Sequence, residues 1–373
     1  MSERGALDRE SRTVRLAGPV SLGLGLLSLG AVLCFRFPAW LTTPELRAHY
    51  PLDLLRAVLF VALVAALLSG LVAVLAGVRR RLGWGGLASS GAAVALGGAW
   101  VEAGPVSPRS PHLGLDWFLL DLLVLALVFV PLERGLARVR AQTLLRTGWK
   151  TDLAHFFASH LLVQVTSFLT LAPAALLFAD LVSPRFQARV AALPFAVQLG
   201  LAVLLADLFQ YAVHRAMHAI PLLWRFHAIH HSSTALDWLA GSRLHLVDVV
   251  LTRAVSFVPL FVMGFAPGPL TAYLVWVAFQ ATLLHANVRL PLRPLRWVLA
   301  TPCFHHWHHA AEPEARDRNF AVHLPVIDLL FGTAYLPDRF PRRYGVVDEH
   351  VPEGWWRQLA WPFRRRPSRM PPA

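Results

Sequence analysis

The chain has 373 residues, of which 56% are hydrophobic and 15% charged, and its mean hydropathy is +0.51. So few charges cannot cover the surface of a soluble globule of this size, which excludes an ordinary water-soluble domain. The formal charge of +13 would suit a nucleic-acid-binding protein, so the placement of the basic residues has to decide that question.

Apolar runs recur along the chain at about the length, near 20 residues, that crosses a hydrocarbon core of roughly 30 Å. Asp121 and Asp207 lie inside two of them, and Gly264–Pro269 splits the last one, which predicts two shorter helices in a hairpin. We therefore predict an all-α, polytopic membrane bundle with six to eight membrane helices. The runs are residues 17–35, 57–78, 82–101, 117–132, 153–179, 190–213 and 246–284.

Basic residues are distributed unevenly between the loops that join these runs. If the N-terminus is cytoplasmic, the predicted cytoplasmic segments before residue 214 hold more of them than the outside loops do, which is the positive-inside distribution. The basic excess then faces the cytoplasm and its anionic lipids, so nucleic acid is not a predicted partner. The cytoplasmic residues are Arg4, Arg9, Arg12, Arg15, Arg79, Arg80, Arg81, Arg134, Arg138, Arg140, Arg146 and Lys150.

Three segments differ in composition. Residues 1–150 contain membrane helices to which we assign no role, residues 151–340 contain the histidine-rich core, and residues 341–373 form a basic, proline-rich tail that we expect in the cytoplasm. The two cysteines, Cys34 and Cys303, indicate no disulfide framework. The first apolar run lacks a cleavage-site pattern, so we interpret it as an anchor.

Histidines are concentrated in three clusters: "HRAMH", "HAIHH" and "HHWHH". Residues three or four apart on a helix share a face and can reach a common ion. His306 breaks the spacing of the third cluster and is not a predicted ligand. The clustered ligand candidates are His214 and His218; His227, His230 and His231; and His305, His308 and His309.

Unpaired imidazoles packed this densely near lipid would be costly to desolvate, whereas a cation stabilises them as neutral ligands. With two single histidines, His245 and His285, the set reaches ten, which suits two metal ions. By the sequence count, all of these histidines lie on the cytoplasmic side of the membrane.

Other polar residues are candidates for supporting roles. Asp207 and Tyr211 precede His214 by seven and three residues on the same helical face, so we predict that they orient a ligand ring. Asn287, Asn319 and Asp328 are weaker candidates for the same role. We interpret His155 and His160 as structural or supporting residues, and His49, His112, His323 and His350 as ordinary ones.

The ligand set also limits the chemistry. Soluble di-iron bundles use glutamate ligands, which are absent from these clusters, and a hydrolytic zinc site needs three protein ligands. Two redox metals, with iron favoured and zinc able to replace it, would activate dioxygen for attack on a C–H bond. A zinc-dependent membrane hydrolase and a non-catalytic metal-binding or transport protein remain as alternatives.

Six stretches in this order resemble the fatty acid hydroxylase/sterol desaturase superfamily over about residues 204–333: "DLFQYAVHRAMH", "LWRFHAIHHSS", "RLH", "HAN", "PCFHHWHH" and "NFAVHLPVIDLLFGT". The resemblance implies a cytoplasm-facing di-iron site that caps a helical membrane bundle and uses O2 to hydroxylate or desaturate a sterol, fatty acyl or ether lipid. The ten histidines match the family's ligand positions. Leu246, Ala321 and Ile327 depart from its pattern, and none of them is a predicted ligand.

No dinucleotide-binding fingerprint or fused cytochrome motif accompanies these stretches. We therefore expect electrons to come from a separate ferredoxin, cytochrome b5-like protein or reductase that docks on the basic cytoplasmic face.

Overall fold

The computed structural model describes residues 3–47, 49–104, 113–161, 176, 178–290, 292–347 and 349–364. Within these residues the regular structure is helical, and extended pairing is limited to two isolated bridges, Ala137–Val288 and Ala310–Tyr344. The prediction of an all-α fold is confirmed. The chain forms two compact units, residues 1–124 and 125–373. The predicted division near residue 150 stays a prediction.

The first unit is built on three helices that approach one another through small residues. Ser21 Oγ donates a hydrogen bond of 2.7 Å to the Ala66 carbonyl, and a Cβ on Gly86 would lie 2.5 Å from the Ser21 backbone carbon. Small residues permit this close approach between membrane helices. The unit contains α1 (Glu3–Arg36), α2 (Pro38–Leu41), α3 (Pro44–Arg47), α4 (Leu52–Leu75), α5 (Arg80–Ala95) and the first part of α6 (Leu115–Gly135).

Helix α5 is shorter than the apolar run at residues 82–101 predicts. It ends at Ala95 after 16 residues, fewer than the roughly 20 that cross a bilayer. Gly97 and Gly98 follow with φ of 116° and 55°, a left-handed backbone that ends the helix.

The second unit carries all the histidine clusters. Its hairpin breaks where the sequence predicts, because Gly264 with φ of 66° ends the helix Leu246–Met263 and Pro267 begins the next helix. The unit contains the end of α6, α7 (Trp149–Leu161), α8 (Pro184–Ala191), α9 (Phe195–Ala219), α10 (Pro221–His231), α11 (Leu246–Met263), α12 (Pro267–His285), α13 (Pro302–His308), α14 (Val326–Leu330) and α15 (Trp355–Ala360). Helices α9, α11 and α12 share an apolar core with α8, formed by Val190, Ala202, Ala206, Leu260, Phe265 and Tyr273.

Five described helices are long and apolar enough to cross a membrane, as expected of an integral membrane protein. Most of the predicted span at residues 153–179 lies outside the described residues, so the count of six to eight stays a prediction. The five segments are Val14–Arg36, Leu52–Leu75, Leu115–Gly135, Phe195–Ala219 and Leu246–Met263.

Candidate metal centre

The clustered histidines lie near the ends of three helices of the second unit, and His285 ends a fourth. Pro221 occupies the first turn of α10, and its neighbour Ile220 has extended backbone, so α10 starts a new direction directly after α9. Helix α13 begins at a Thr301 cap, whose hydroxyl accepts from the Phe304 backbone N–H at 3.3 Å. These turns bring the ends of α9, α10 and α13 together with the C-terminal end of α12.

Nine of the ten predicted ligands form two groups in which the ligand atoms lie within 4.8 Å of one another. The five-histidine group consists of His214, His218, His227, His231 and His308. The four-histidine group consists of His230, His285, His305 and His309.

The groups divide two of the sequence clusters. In "HAIHH", His227 and His231 belong to the five-histidine group and His230 to the other. In "HHWHH", His305 and His309 belong to the four-histidine group and His308 to the other. The i,i+4 pair of each cluster therefore belongs to one group, and the remaining histidine belongs to the other group. The expectation that a whole cluster reaches one ion is wrong on this point.

Ring protonation shows why the five-histidine group suits a cation. His214 donates from Nδ1 to the Phe320 carbonyl at 2.7 Å, and His227 donates from Nδ1 to the Asp248 carboxylate at 2.8 Å. A neutral imidazole has one proton, so both Nε2 atoms are then bare acceptors. They nevertheless lie 3.1 Å apart. Two facing lone pairs at this distance repel each other unless a positive ion lies between them.

The four-histidine group repeats the pattern. His230 donates from Nδ1 to the Arg243 carbonyl at 3.2 Å, and His285 donates to the Ala281 carbonyl at 2.7 Å. Their Nε2 atoms lie 3.3 Å apart. His305 Nε2 is 3.0 Å from His285 Nε2 and 3.1 Å from His309 Nε2, so this group also directs its Nε2 atoms at one point.

Orphaned nitrogens support the same interpretation. Nε2 of His218 and Nε2 of His308 are buried and have no hydrogen-bond partner among the described residues. Buried polar atoms are otherwise almost always paired. Both atoms belong to the five-histidine group, where an ion would be their partner.

Burial, with the neighbouring imidazoles adding to it, lowers the pKa of the histidines beyond the membrane spans well below their usual range. A lowered pKa keeps the rings neutral at pH 7, the form that binds metal. The residues are His230, His231, His305, His308 and His309. A donor set of neutral nitrogens suits first-row transition metals better than calcium or magnesium. The residues present therefore fit two such ions.

His245 lies in neither group. Its Nδ1 accepts from the Val247 backbone N–H at 3.1 Å and caps the start of α11, and its Nε2 donates to the Leu359 carbonyl at 3.1 Å. Both ring nitrogens are thus used structurally. The sequence prediction that His245 is a ligand finds no support in this geometry.

Asp207 and Tyr211 do not contact a ligand ring. The Asp207 carboxylate accepts from the backbone N–H groups of Val322, His323 and Leu324 at 2.8, 3.1 and 2.6 Å. The Tyr211 hydroxyl lies 3.0 Å from Thr333 Oγ1. No hydrogen bond joins Asp207 to an imidazole among the described residues, so the prediction that it orients a ligand ring stays a prediction.

Asp207 instead contacts the backbone segment that bonds the ligand His214. It holds the segment at residues 319–324, from which the Phe320 carbonyl accepts the His214 proton. Asp328 holds the same segment by accepting from the Phe320 and Ala321 backbone N–H groups, each at 2.8 Å.

The sequence prediction missed two carboxylates that do contact ligand rings. Asp248 Oδ2 lies 2.8 Å from His227 Nδ1, and Asp317 Oδ1 lies 3.2 Å from His218 Nδ1. Carboxylates in this position fix the orientation of a metal-binding imidazole and raise its basicity. The available signal for Asp248 was its place three residues after His245 in "RLHLVD".

A buried ion-pair network lies behind the four-histidine group. Arg243, whose carbonyl accepts from His230, is 1% exposed and pairs through Nε with Asp152. Asp152 also pairs with Arg146 at 2.7 Å, and Arg146 reaches Asp237 at 2.9 Å. The network fixes the Arg243 backbone beside the site.

The other predicted supporting residues have structural partners. His306 lies outside both groups, as its spacing predicts, with Nδ1 2.7 Å from the Tyr344 hydroxyl. His155 bonds the Leu244 carbonyl and Gln358. Asn287 bonds both the N–H and the carbonyl of Val139, at 3.0 and 3.1 Å. Asn319 Nδ2 donates to the Phe304 and Tyr335 carbonyls. His112 lies outside the described residues.

Residues 199–333 match the family model described as fatty acid hydroxylase. The chain is 34% identical over 174 residues to the ornithine lipid hydroxylase of Rhizobium tropici, which covers 46% of this chain and 52% of that protein. It is 29% identical over 144 residues to the alkylglycerol monooxygenase of Xenopus tropicalis, covering 38% and 31%. It is 30% identical over 156 residues to a fatty acid hydroxylase of Lecanicillium sp, covering 37% and 42%.

The matched region thus spans about half or less of each of these relatives. No solved structure matches the chain significantly.

Proposed function

Through residues 199–333 the chain belongs to the fatty acid hydroxylase superfamily, and from this premise we propose that it is a membrane oxygenase that hydroxylates an alkyl or acyl chain of a lipid. The observation that carries the proposal is the convergence of two sets of bare imidazole nitrogens, each within 4.8 Å. Two metal ions held this closely by nitrogen ligands, when they are iron, supply the activation of O2.

The ligands in this proposal are the nine grouped histidines, without His245. Asp248 and Asp317 orient His227 and His218, and the Arg243 and Ala281 carbonyls orient His230 and His285. Asp207 and Asp328 hold the segment whose Phe320 carbonyl orients His214. These contacts leave each oriented ring one unprotonated nitrogen, and that nitrogen is directed at the ions.

The substrate class follows from what the three relatives share. Their names specify an ornithine lipid, an alkylglycerol and a fatty acid, all of which carry long hydrocarbon chains. Two of these names specify a hydroxylase and the third a monooxygenase, and none of the three specifies a desaturase. The reaction consumes one O2, two electrons and two protons per C–H bond and forms the alcohol and one water, so an external electron donor is part of the proposal. We propose the basic cytoplasmic face as its docking surface.

The test is turnover with purified, iron-loaded protein in lipid nanodiscs, supplied with reductant and 18O2. We expect 18O in a hydroxylated lipid, detected by mass spectrometry, and no product under nitrogen. His230→Ala should abolish product because it removes a ligand, while His306→Gln, a matched histidine outside both groups, should retain it. Product formed without O2 would reject the oxygenase and indicate a hydrolase.

Metal content and membrane topology are tested by separate measurements. Metal analysis of protein from iron-sufficient cells should find about two equivalents, with zinc competing because its affinity for nitrogen sites exceeds that of Fe2+.

Single cysteines near Arg80, Arg140 and Ser232 should be shielded from impermeant reagents in intact cells, and one near Arg109 should react. Labelling near Ser232 from outside would contradict a cytoplasmic metal site.

A further inference from the structure

An apolar groove in the second unit is lined by two side chains with polar atoms that the metal centre does not use. The groove has a volume of about 510 Å³, and eight of its nine lining residues are apolar or aromatic. The ninth is His323, which is fully buried. The lining residues are Leu199, Val203, Ala272, Val275, Trp276, Phe279, Leu299, His323 and Leu324.

His323 is held firmly by its backbone and not by its ring. Its backbone N–H donates to Asp207 at 3.1 Å, and its carbonyl accepts from the Ala300 N–H at 2.8 Å. Neither Nδ1 nor Nε2 has a hydrogen-bond partner among the residues that the structure describes. A buried imidazole with both nitrogens unpaired is unfavourable, and such a group is rare in proteins.

A second unpaired polar atom lies beside it. Trp276 Nε1 is also buried without a partner in the described part of the chain. Both side chains line the groove, and the rings of Trp276 and His323 have centroids 6.5 Å apart. Two unpaired polar side chains that line one groove indicate a ligand with a polar group.

The hydrogen-bond donors and acceptors of Trp276 and His323 indicate which polar group the ligand carries. Trp276 can only donate, while a neutral imidazole donates from one nitrogen and accepts at the other. Burial lowers the pKa of His323, which favours the neutral ring. A hydroxyl can accept from an N–H group and donate to the imidazole acceptor, whereas a carbonyl or ether oxygen can only accept.

The apolar lining of the groove indicates which class of molecule carries the hydroxyl. The groove is open at its rim, where Val275 is 66% and Phe279 is 40% exposed, so a membrane lipid can enter from the side. Because the other lining residues are apolar or aromatic, a hydroxyl bound there would be flanked by hydrocarbon. We infer that this groove binds a lipid chain bearing a mid-chain hydroxyl, which hydrogen-bonds to His323 and Trp276.

The groove also lies next to the metal centre. Phe279 precedes the ligand His285 by six residues on α12, which is about 9 Å along the helix. His323 follows Phe320, which bonds His214, by three residues. Resting on the proposed function, the hydroxyl contact would hold the chain so that oxidation occurs at a set distance from that hydroxyl.

The test compares three probes that differ in one group: octadecanoic, 12-oxooctadecanoic and 12-hydroxyoctadecanoic acid. Binding to detergent-purified, metal-loaded protein is measured by native mass spectrometry. We expect the hydroxy acid to bind about ten-fold more tightly than octadecanoic acid, with the keto acid between them. Comparing the ratio between variants cancels the partitioning of each probe into detergent.

Variants identify the contacts. His323→Leu and Trp276→Phe should each reduce the preference for hydroxyl to within about two-fold, and His323→Asn, which retains a donor and an acceptor, should keep much of it. Leu299→Ala, the matched apolar control, should weaken all three probes alike and leave the preference intact. A preference that is absent in the wild type, or unchanged in His323→Leu, would overturn the inference.

Binding in this experiment requires neither O2 nor turnover. A hydroxyl preference without 18O incorporation would therefore reject the proposed oxygenase and keep the lipid site. Turnover without a hydroxyl preference would keep the proposed oxygenase and reject the lipid site. Where both hold, His323→Leu should broaden the positions at which the chain is oxidised.

Discussion

The five-histidine group and the four-histidine group use the same ligand type but differ in what holds their outer nitrogens. In the first group, His227 and His218 donate to the carboxylates of Asp248 and Asp317. In the second group, His230 and His285 donate to backbone carbonyls. A carboxylate acceptor raises the basicity of the ring it holds, so we expect the five-histidine group to bind its ion more tightly.

The second group is supported less completely in another respect. Nδ1 of His305 and Nδ1 of His309 are buried and unpaired within the described ranges. The nearest buried charges act on this group indirectly, through the Arg243 backbone. Two sites with nearly identical ligands can thus differ in affinity because of contacts one step beyond the ligands.

The largest effect should come from pairs of histidine deletions. His230→Ala with His309→Ala removes two ligands from the four-histidine group only, so about one equivalent of metal should remain. His230→Ala with His231→Ala affects neighbours in sequence but different groups, so nearly all metal should be lost. Metal analysis of purified proteins decides the matter, and equal loss in both double variants would mean that the two groups are not independent sites.

A smaller effect is expected for Asp248→Asn. The amide keeps the size of the side chain but removes the charge that faces His227, so affinity at the five-histidine group should fall by about 10-fold to 100-fold. The four-histidine group should keep its affinity. Competition with a chelator measures both sites, and a parallel loss from both would remove the asymmetry that we describe.

Asp317→Asn should have less effect than Asp248→Asn. The Asp317 side chain is 61% exposed, while that of Asp248 is 3% exposed, and water screens an exposed charge. We expect affinity at the five-histidine group to fall by no more than about threefold. The same chelator titration applies, and an effect as large as that of Asp248→Asn would show that burial does not set the strength of these contacts.

The smallest effect is expected for His306→Gln. His306 lies beside His305 in sequence, yet its nitrogens bond Tyr344 and the Ala286 carbonyl. Metal content should remain at about two equivalents, with thermal stability changed by about 1 kcal/mol for the altered hydrogen bonds. Loss of metal comparable to that in His309→Ala would mean that the ligands of the third cluster are misassigned.

Much of the architecture follows from local sequence. Five described helices coincide with apolar runs, because a bilayer requires a long, uncharged segment whose backbone groups are satisfied within it. The break at Gly264 follows from glycine's access to positive φ and from Pro267, which begins the next helix. Eight of the nine grouped histidines were predictable for a related reason: residues at i,i+3 and i,i+4 share a helical face.

The supporting contacts were not predictable in this way. His245 has the spacing of a ligand, yet the backbone of Leu359, 114 residues away, takes up its Nε2. Asp207 appeared well placed because it shares a helical face with His214, but three backbone N–H groups of a distant segment satisfy its carboxylate. Asp248 contacts His227 only because α11 packs beside α10.

By itself the sequence determined the long apolar helices, the membrane character and the ligands in the three histidine clusters, since each depends on residues within one or two helical turns. Tertiary structure alone decided that "HAIHH" and "HHWHH" are each divided between two groups. Consecutive residues on a helix point about 100° apart, so His230 and His231 must face different neighbours. Which neighbours they face depends on how α9, α12 and α13 pack around α10, and helix packing is set by contacts between residues distant in sequence.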